Sequence, residues 1–311
     1  MKNILFIGGS GFLGKNLINL LLKTKEYKIH VLCRTESNFK NFHLIDSKVK
    51  IYQANLSECD KIKQILTDQK IDIVMHLSST LKPNSDIDSF NYECKKVISP
   101  TTSLISLCSK LDILFVYFSS GGAVYGNSCN RSHSENDPLR PISYYGLAKY
   151  YVEEAIRLEN RSSGLRYLIL RPSNPFGPGQ DLNGSQGLIA VTLGKILSQK
   201  RISIWGDGTS IRDYIYIDDL CQYVYKLLNL NCQNETFNLG SGNGSSVKKI
   251  IETTSNITNI APDVEYTNSR SFDVDSSILD VSYLEKHIGK LVKTPLEKGI
   301  SLFADYIKKG D

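Results

Sequence analysis

Lys2-Asn3-Ile4-Leu5-Phe6-Ile7-Gly8-Gly9-Ser10-Gly11-Phe12-Leu13-Gly14 opens the chain and decides how the rest is read. Ile4 to Ile7 form an unbroken apolar run that ends in glycines, and Leu13, Leu17, Leu20 and Leu21 follow at helical spacing. Such a run predicts a buried strand, and the 3.6-residue stripe beyond it predicts a helix packed on a sheet. Gly8, Gly11 and Gly14 occupy the turn between them as G-x-x-G-x-x-G. A side chain there would block a tight turn and the approach of a pyrophosphate to the helix N-terminus, whose free N–H groups and dipole attract anions. The triplet alone is weak in a chain with 22 glycines, but its place between strand and helix makes it a dinucleotide-binding signature.

Working outward, β-rich runs alternate with helical patterns. They are Ile29-His30-Val31-Leu32, Val49-Lys50-Ile51-Tyr52, Ile71-Asp72-Ile73-Val74, Leu114-Phe115-Val116-Tyr117-Phe118 and Tyr167-Leu168-Ile169-Leu170. Repeated βαβ units of this kind predict an α/β fold, a Rossmann-type doubly wound parallel sheet with helices on both faces. After Arg171-Pro172 the texture changes, with Pro, Gly, Asn and Ser crowding residues 172–187 and turn-rich pieces alternating with short helices from about residue 241. We read a smaller C-terminal α/β substrate-binding lobe. The expected dinucleotide-binding domain is residues 1–172 plus about 211–240, and the expected substrate lobe about 173–210 plus 241–311.

The 311 residues are 41% hydrophobic and 22% charged, enough to bury a large core. Net charge is +5, but Lys and Arg are interspersed with Asp and Glu, which argues against a nucleic-acid partner. No run reaches the roughly 18–20 apolar residues of a spanning helix, so no membrane partner and a cytoplasmic location are expected. Seven cysteines without a CxxC pair fit a reducing compartment and predict no metal site.

The second strand is expected to distinguish NAD from NADP, because an acid at its end would bond the adenosine ribose hydroxyls. The stretch reads Val31-Leu32-Cys33-Arg34-Thr35, without one. Arg34 has two readings: its guanidinium pairs with a 2′-phosphate, or it stacks on adenine or faces solvent while NAD binds.

Two Tyr-x-x-x-Lys matches occur, Tyr92/Lys96 and Tyr145/Lys149. The second follows a turn-prone stretch and leads into a long helical pattern, where residues four apart share a face. An ammonium beside the phenol is expected to favour its ionised form, so that it exchanges a proton with a substrate hydroxyl as hydride moves at the adjoining carbon. Tyr92/Lys96 reads as a solvated helix face.

Taken together, these residues resemble the extended short-chain dehydrogenase/reductase superfamily, in particular its NAD(P)-dependent nucleotide-sugar epimerases, dehydratases and reductases. The likeness covers nearly the whole chain. It rests on the glycine turn, Asp72-Ile73-Val74-Met75-His76-Leu77-Ser78-Ser79, Ser119-Ser120-Gly121-Gly122-Ala123-Val124-Tyr125-Gly126, Tyr145/Lys149 and Arg171-Pro172-Ser173-Asn174-Pro175-Phe176-Gly177-Pro178. Further on come Gly206-Asp207-Gly208-Thr209-Ser210-Ile211-Arg212-Asp213-Tyr214 and Arg270-Ser271-Phe272-Asp273-Val274.

The resemblance implies Tyr145 as acid/base with Lys149 as its partner, the latter also holding the nicotinamide ribose. It implies Gly8, Gly11, Phe12, Leu13, Gly14, Leu77, Ser78 and Ser79 at an NAD or NADP cofactor, with Asn55-Leu56 in place of the family's Asp-Leu beside adenine. Asn174, Arg212, Arg270 and Asp273 are implied around the diphosphate of a nucleotide sugar. A homodimer formed by helices that include the one bearing Tyr145 is also implied.

One position departs from the family. The hydroxyl expected three residues before Val124 is replaced by Gly121, and Ser120 either takes over as third catalytic group or merely caps its loop. The acidic pair of 4,6-dehydratases is also missing, since Gly122 and Ala123 stand there. The resemblance therefore implies a nucleotide-sugar 4-epimerase, alternatively a 4-keto-6-deoxyhexose 4-reductase, and failing both a catalytically inactive dinucleotide-binding protein.

Overall fold

The computed structural model describes residues 1–35, 49–127, 131–184, 186–268, 274–290 and 292–310. The strands matching the apolar runs are β1 (Lys2–Ile7), β2 (Tyr27–Cys33), β3 (Val49–Gln53), β4 (Ile73–His76), β5 (Leu114–Phe118) and β6 (Tyr167–Pro172). Shorter strands follow: β7 (Asn174–Phe176), β8 (Ile202–Trp205), β9 (Ile211–Tyr216), β10 (Glu235–Leu239), β11 (Gly244–Ser246), β12 (Val264–Thr267) and β13 (Ser276–Ser277). The helices up to the one bearing Tyr145 and Lys149 are α1 (Phe12–Thr24), α2 (Cys59–Asp68), α3 (Ile87–Glu93), α4 (Ser99–Lys110), α5 (Gly121–Val124) and α6 (Tyr144–Ser163). A π-helical turn, Cys94–Ile98, joins α3 to α4. Beyond β6 lie α7 (Leu188–Leu197), α8 (Ile217–Asn229), α9 (Val247–Thr258), α10 (Ser282–Ile288) and α11 (Leu296–Lys309).

The chain clusters into two compact units: residues 1–120, 143–170 and 227–237, and residues 121–142, 171–226 and 238–311. The sequence reading drew other boundaries, leaving residues 121–142 and about 211–226 in the first. Both stretches cluster with the second, where Val124 and Tyr125 pack on Leu279 and Val281.

The first unit is built on a seven-stranded sheet of order β10-β6-β5-β4-β1-β2-β3, parallel from β6 to β3. Ile4, Leu5 and Phe6 of β1 have no exposed surface, which is why parallel strands covered on both faces read as continuous apolar runs. The order reverses between β1 and β4. Beside the carboxyl ends of these two strands lies the crevice where ligands of open α/β sheets bind. On α1, Leu17, Ile18 and Leu21 are buried, and the helix stops at Lys25 in the left-handed region, whose N–H bonds the Leu22 carbonyl. On α6, the Ser143 side chain accepts a hydrogen bond from the Gly146 N–H, and Gly164 ends the helix with φ +75°. That cap fixes where the helix begins, and thus where Tyr145 and Lys149 stand.

In the second unit, β9 pairs with β7 and β13 in parallel and with β11 antiparallel, while β12 pairs with β8. Phe176, Leu193, Tyr214, Tyr216, Ile250 and Phe303 form its largest apolar cluster. Among the described residues no helix is long and apolar enough to cross a membrane, and no group of His, Cys, Asp and Glu is arranged to hold a metal ion.

Candidate active site

Two close approaches shape the turn from β1 to α1. Gly8 has φ +84°, and a Cβ on it would lie 2.9 Å from the Ser78 backbone nitrogen, so neither conformation nor space admits a side chain. A Cβ on Gly14 would come within 2.5 Å of the Gly9 carbonyl oxygen. Gly11 differs: a Cβ there would meet nothing closer than the Gly8 oxygen at 3.5 Å. Packing within the protein therefore does not demand glycine at 11, and its missing side chain leaves room on the open side of the turn. Gly11 also begins α1 without a side-chain cap, and the first turn carries no acidic residue, so its N–H groups and dipole stay available to an anion.

A cleft of about 300 Å³ opens beside this turn, between the ends of β1, β2 and β4. Gly8, Arg34, Asn55, Leu56, Ser78 and Ser79 line it, as do Tyr92 and Lys96, the pair expected to be only a solvated face. Phe12 and Leu13 begin α1 partly buried. Leu77 continues β4, its N–H bonded to the Ile7 carbonyl. Glu58 accepts from the Asn55 backbone N–H at 2.5 Å and from its Nδ2 at 3.2 Å, which pins Asn55 at the start of α2. A larger cavity, about 540 Å³, lies at the opposite, amino-terminal ends of β1, β4 and β5, among Lys2, Lys70 and Arg166. None of the expected site residues lines it.

Ser120 follows β5, and Tyr145 and Lys149 lie one turn apart on α6. The Ser120 side chain lies close enough to the Tyr145 phenol to favour its ionised form. Lys149, 5% exposed, donates from Nζ to the Phe118 carbonyl at 2.9 Å, with Nζ 5.1 Å from the Tyr117 ring centre and 5.8 Å from that of Tyr145. Burial pushes the Tyr145 phenol above its ordinary pKa, the Ser120 side chain opposes this, and the Glu93 charge adds to it. The acidification expected from Lys149 is not among these influences, and withdrawal from water sets the direction. Burial also lowers Lys149 to about 8, against the pull of Glu93 and Glu153 toward the charged form.

Those two carboxylates were not found from the sequence. Glu93 accepts from Ser79 Oγ at 2.9 Å, from the Thr80 N–H at 2.8 Å and from Thr80 Oγ1. The Ser79 hydroxyl is therefore committed to Glu93. Glu153, without exposed surface, accepts from Ser119 Oγ at 2.5 Å and from the Arg157 guanidinium at 2.8 Å. Glu153 stands four residues after Lys149, a helical spacing that could have revealed it. Glu93 gave no such signal. His76, buried with Nε2 2.9 Å from Thr101 Oγ1, is lowered to about 3 by burial and then by Lys149, and so stays neutral.

In the second unit, Asn174 starts β7 and donates from Nδ2 to the Asp213 carbonyl at 2.8 Å. Arg212 lies on β9 and donates to the Ile211 carbonyl at 2.9 Å. Arg270 and Asp273 lie outside the described residues. Gly121 has no room for a larger residue: a Cβ would lie 2.6 Å from Leu279 Cδ1 and 3.0 Å from the Arg171 carbonyl oxygen. Leu279 fills the space where a side chain at 121 would go.

A model of the NAD dependent epimerase/dehydratase family matches residues 4–240. The chain is 30% identical over 309 residues to a putative UDP-glucose 4-epimerase of Methanocaldococcus jannaschii, covering 99% of both chains. It is 29% identical over 314 residues to a dTDP-4-dehydro-6-deoxyglucose reductase of Escherichia coli, covering 96% of this chain and 95% of that one. The crystal structure of a UDP-glucose 4-epimerase with UDP-glucose from Thermotoga maritima matches with a TM-score of 0.89 at 29% identity, over 99% of both chains.

Proposed function

Because the chain belongs to the NAD-dependent epimerase/dehydratase family and is an enzyme of the extended short-chain dehydrogenase type, we propose that it inverts C4 of a nucleotide diphosphate hexose through the 4-keto sugar. The observation that carries this reading is the buried Lys149 ammonium 5.8 Å from the Tyr145 ring centre, with Ser120 acting on the same phenol.

A nicotinamide dinucleotide, when bound, supplies hydride acceptance and return at a sugar carbon. The residues we assign to hold it are Gly8, Gly11, Phe12, Leu13 and Gly14 around the pyrophosphate, Asn55 and Leu56 toward adenine, and Leu77, Ser78 and Ser79 beneath it. The open space at Gly11 and the uncapped start of α1 fit that anion.

Tyr145 takes the proton of the C4 hydroxyl as the carbon is oxidised and returns it after the sugar has turned its other face. Ser120 holds the reacting oxygen and steadies the phenol. Lys149, charged below about pH 8, favours the phenolate that the first step requires. Asn174 and Arg212, together with Arg270 and Asp273, are assigned to the sugar donor's diphosphate, for which a guanidinium fork is suited. Gly122 and Ala123 offer no carboxyl to expel a C6 hydroxyl, which weighs against dehydration.

A second reading, a 4-keto-6-deoxyhexose 4-reductase, uses the same residues in one direction. It is favoured by the absence of an acid among the described residues that line the cleft, which suits a consumed NADPH. A homodimer through α6 is supported by Tyr144, Leu147, Tyr151 and Leu158, which are 37–59% exposed along that helix at intervals of three, four and seven.

Incubation with uridine, thymidine and guanosine diphosphate hexoses, and separately with their 4-keto-6-deoxy derivatives plus NADPH, tests the choice. We expect a C4-inverted hexose by NMR with no net loss of reduced nicotinamide. Substrate-dependent NADPH consumption would establish the reductase instead.

A further inference from the structure

We propose that Glu93 is a positioning residue for the proton-transfer pair: a buried carboxylate that clamps the segment following β4 and, through its charge, holds Lys149 as the ammonium. The proposal rests on the reading of Tyr145 and Lys149 given above.

Glu93 is the last residue of α3, directly before the π-helical turn Cys94–Ile98, and is 2% exposed. A carboxylate withdrawn from water is costly unless donors surround it, and here they come from one short segment. Oε1 accepts from Ser79 Oγ, and Oε2 accepts from the Thr80 N–H and from Thr80 Oγ1. Ser79 Oγ also accepts from the Leu81 N–H at 3.2 Å, so three consecutive residues are wrapped around one side chain. An ionised carboxylate only accepts hydrogen bonds, which suits partners that can all donate. The clamped segment begins one residue after Ser78, whose backbone nitrogen lies against the Gly8 turn. The hold of Glu93 therefore extends to the strand end assigned to run beneath the dinucleotide.

The same charge reaches the pair on α6. Lys149 Nζ is given to the Phe118 carbonyl, and Glu93 acts on it across space, in an interior where charges are weakly screened. The other titratable groups around the ammonium, among the described residues, are His76 from β4, Tyr117 from β5, and Tyr145 and Glu153 from α6. His76 stays neutral and burial pushes both phenols up. Cys94, next to Glu93 in the chain, is kept a thiol by burial and then by that charge. Glu153 has its charge offset by the Arg157 guanidinium, whereas the hydrogen-bond partners of Glu93 are neutral. With burial holding Lys149 at about 8, support from a carboxylate decides how fully it is charged near neutral pH. Glu93 also lifts the Tyr145 phenol, so its loss moves both groups in the same direction.

The test follows Lys149 itself in the full-length protein, by NMR of carbon-13-labelled lysine assigned with Lys149→Arg. Glu93→Gln keeps the shape and removes the charge, and should lower the Lys149 midpoint by about one pH unit. Glu93→Asp keeps the charge and should hold the midpoint within about a quarter of a unit. The kcat/KM profile of Glu93→Gln should move as a whole to lower pH, and its NADH affinity, read by nicotinamide fluorescence, should fall by about fivefold as the clamp loosens. An unmoved midpoint in folded Glu93→Gln overturns the proposal, as does a Glu93→Asp midpoint that falls as far as that of Glu93→Gln. Unchanged NADH affinity in Glu93→Gln overturns the clamp. The midpoint is read without substrate, so wild-type protein that converts no nucleotide sugar would sink the proposed function and leave this measurement standing.

Discussion

The two units hold their interiors together by different means. In the first, long parallel strands bury aliphatic side chains on both faces, and the ladder itself satisfies the backbone; its buried charges gather around Lys149. In the second, strands of two to six residues cannot do this, and side chains finish the work. The Asp213 carboxylate accepts from the backbone N–H groups of Ser241 at 2.9 Å and Gly242 at 3.1 Å and from Ser241 Oγ at 2.8 Å, and burial raises its pKa despite these bonds. Arg171, 1% exposed, donates to Tyr125 Oη at 2.7 Å and to the Glu135 carbonyl at 3.1 Å, and Tyr125 Oη donates in turn to Asn238 at 2.7 Å. The first unit gathers its apolar residues into one large cluster, whereas the second has smaller ones. The second adds to them individual polar partners, each of which leaves another group with fewer bonds if removed.

The contrast can be broken most severely in the first unit by a change that leaves its stability alone. Tyr145→Phe deletes one proton-transferring oxygen and keeps the ring, so turnover should fall by about 10³-fold with an unchanged melting temperature. Near-normal turnover would remove Tyr145 from the chemistry.

Gly11→Val fills the open side of the glycine turn. Dinucleotide affinity should drop by roughly a hundredfold while circular dichroism stays native, since a Cβ there meets no protein atom closer than 3.5 Å. Retained affinity would show that the pyrophosphate does not approach this turn.

In the second unit, Arg171→Met keeps the volume and removes a donor from the Glu135 carbonyl and from Tyr125 Oη, which retains only its bond to Asn238. We expect a loss of about 3 kcal/mol in urea unfolding, more than a similar truncation of a surface arginine. A loss below about 1 kcal/mol would erase the distinction drawn between the units.

The smallest expected effect is a shift in a pH profile. Lys149 is charged below about 8 and neutral above it, so a reaction that needs the ammonium slows as pH rises through that value. Glu153 favours the charged form, and Glu153→Gln keeps an acceptor for Ser119 while removing the charge. The alkaline limb of kcat/KM should therefore move to lower pH. An unmoved limb would mean that this carboxylate does not tune Lys149.

The same contrast explains what could be read from the residues alone. β1, β2, β4, β5 and β6 follow from apolar runs because they are largely buried, whereas β3 was legible from its β-rich residues although most of it is exposed. The Gly8 turn, Tyr145 and Lys149 were legible because a local motif places them. What was hidden depends on distant partners. Glu93 is recognised only once Ser79 and Thr80 are seen to donate to it. Lys96 is exposed, as its reading as a solvated face expects, and also lines the cleft, which no local pattern reveals. The assignment of residues 121–142 to the second unit depends on Leu279, more than a hundred residues away, which no local pattern reveals.

Leu279 also constrains how this loop can change. Restoring a hydroxyl at 121 alone would drive the new Cβ into a branched side chain, and shortening Leu279 alone would open a void beneath a glycine. Each single step is penalised, and only both together reach the alternative arrangement. Loops of the glycine type and of the hydroxyl type are thereby separated by a barrier in sequence space, so a proton-transfer oxygen supplied by Ser120 would be hard to hand back to its neighbour.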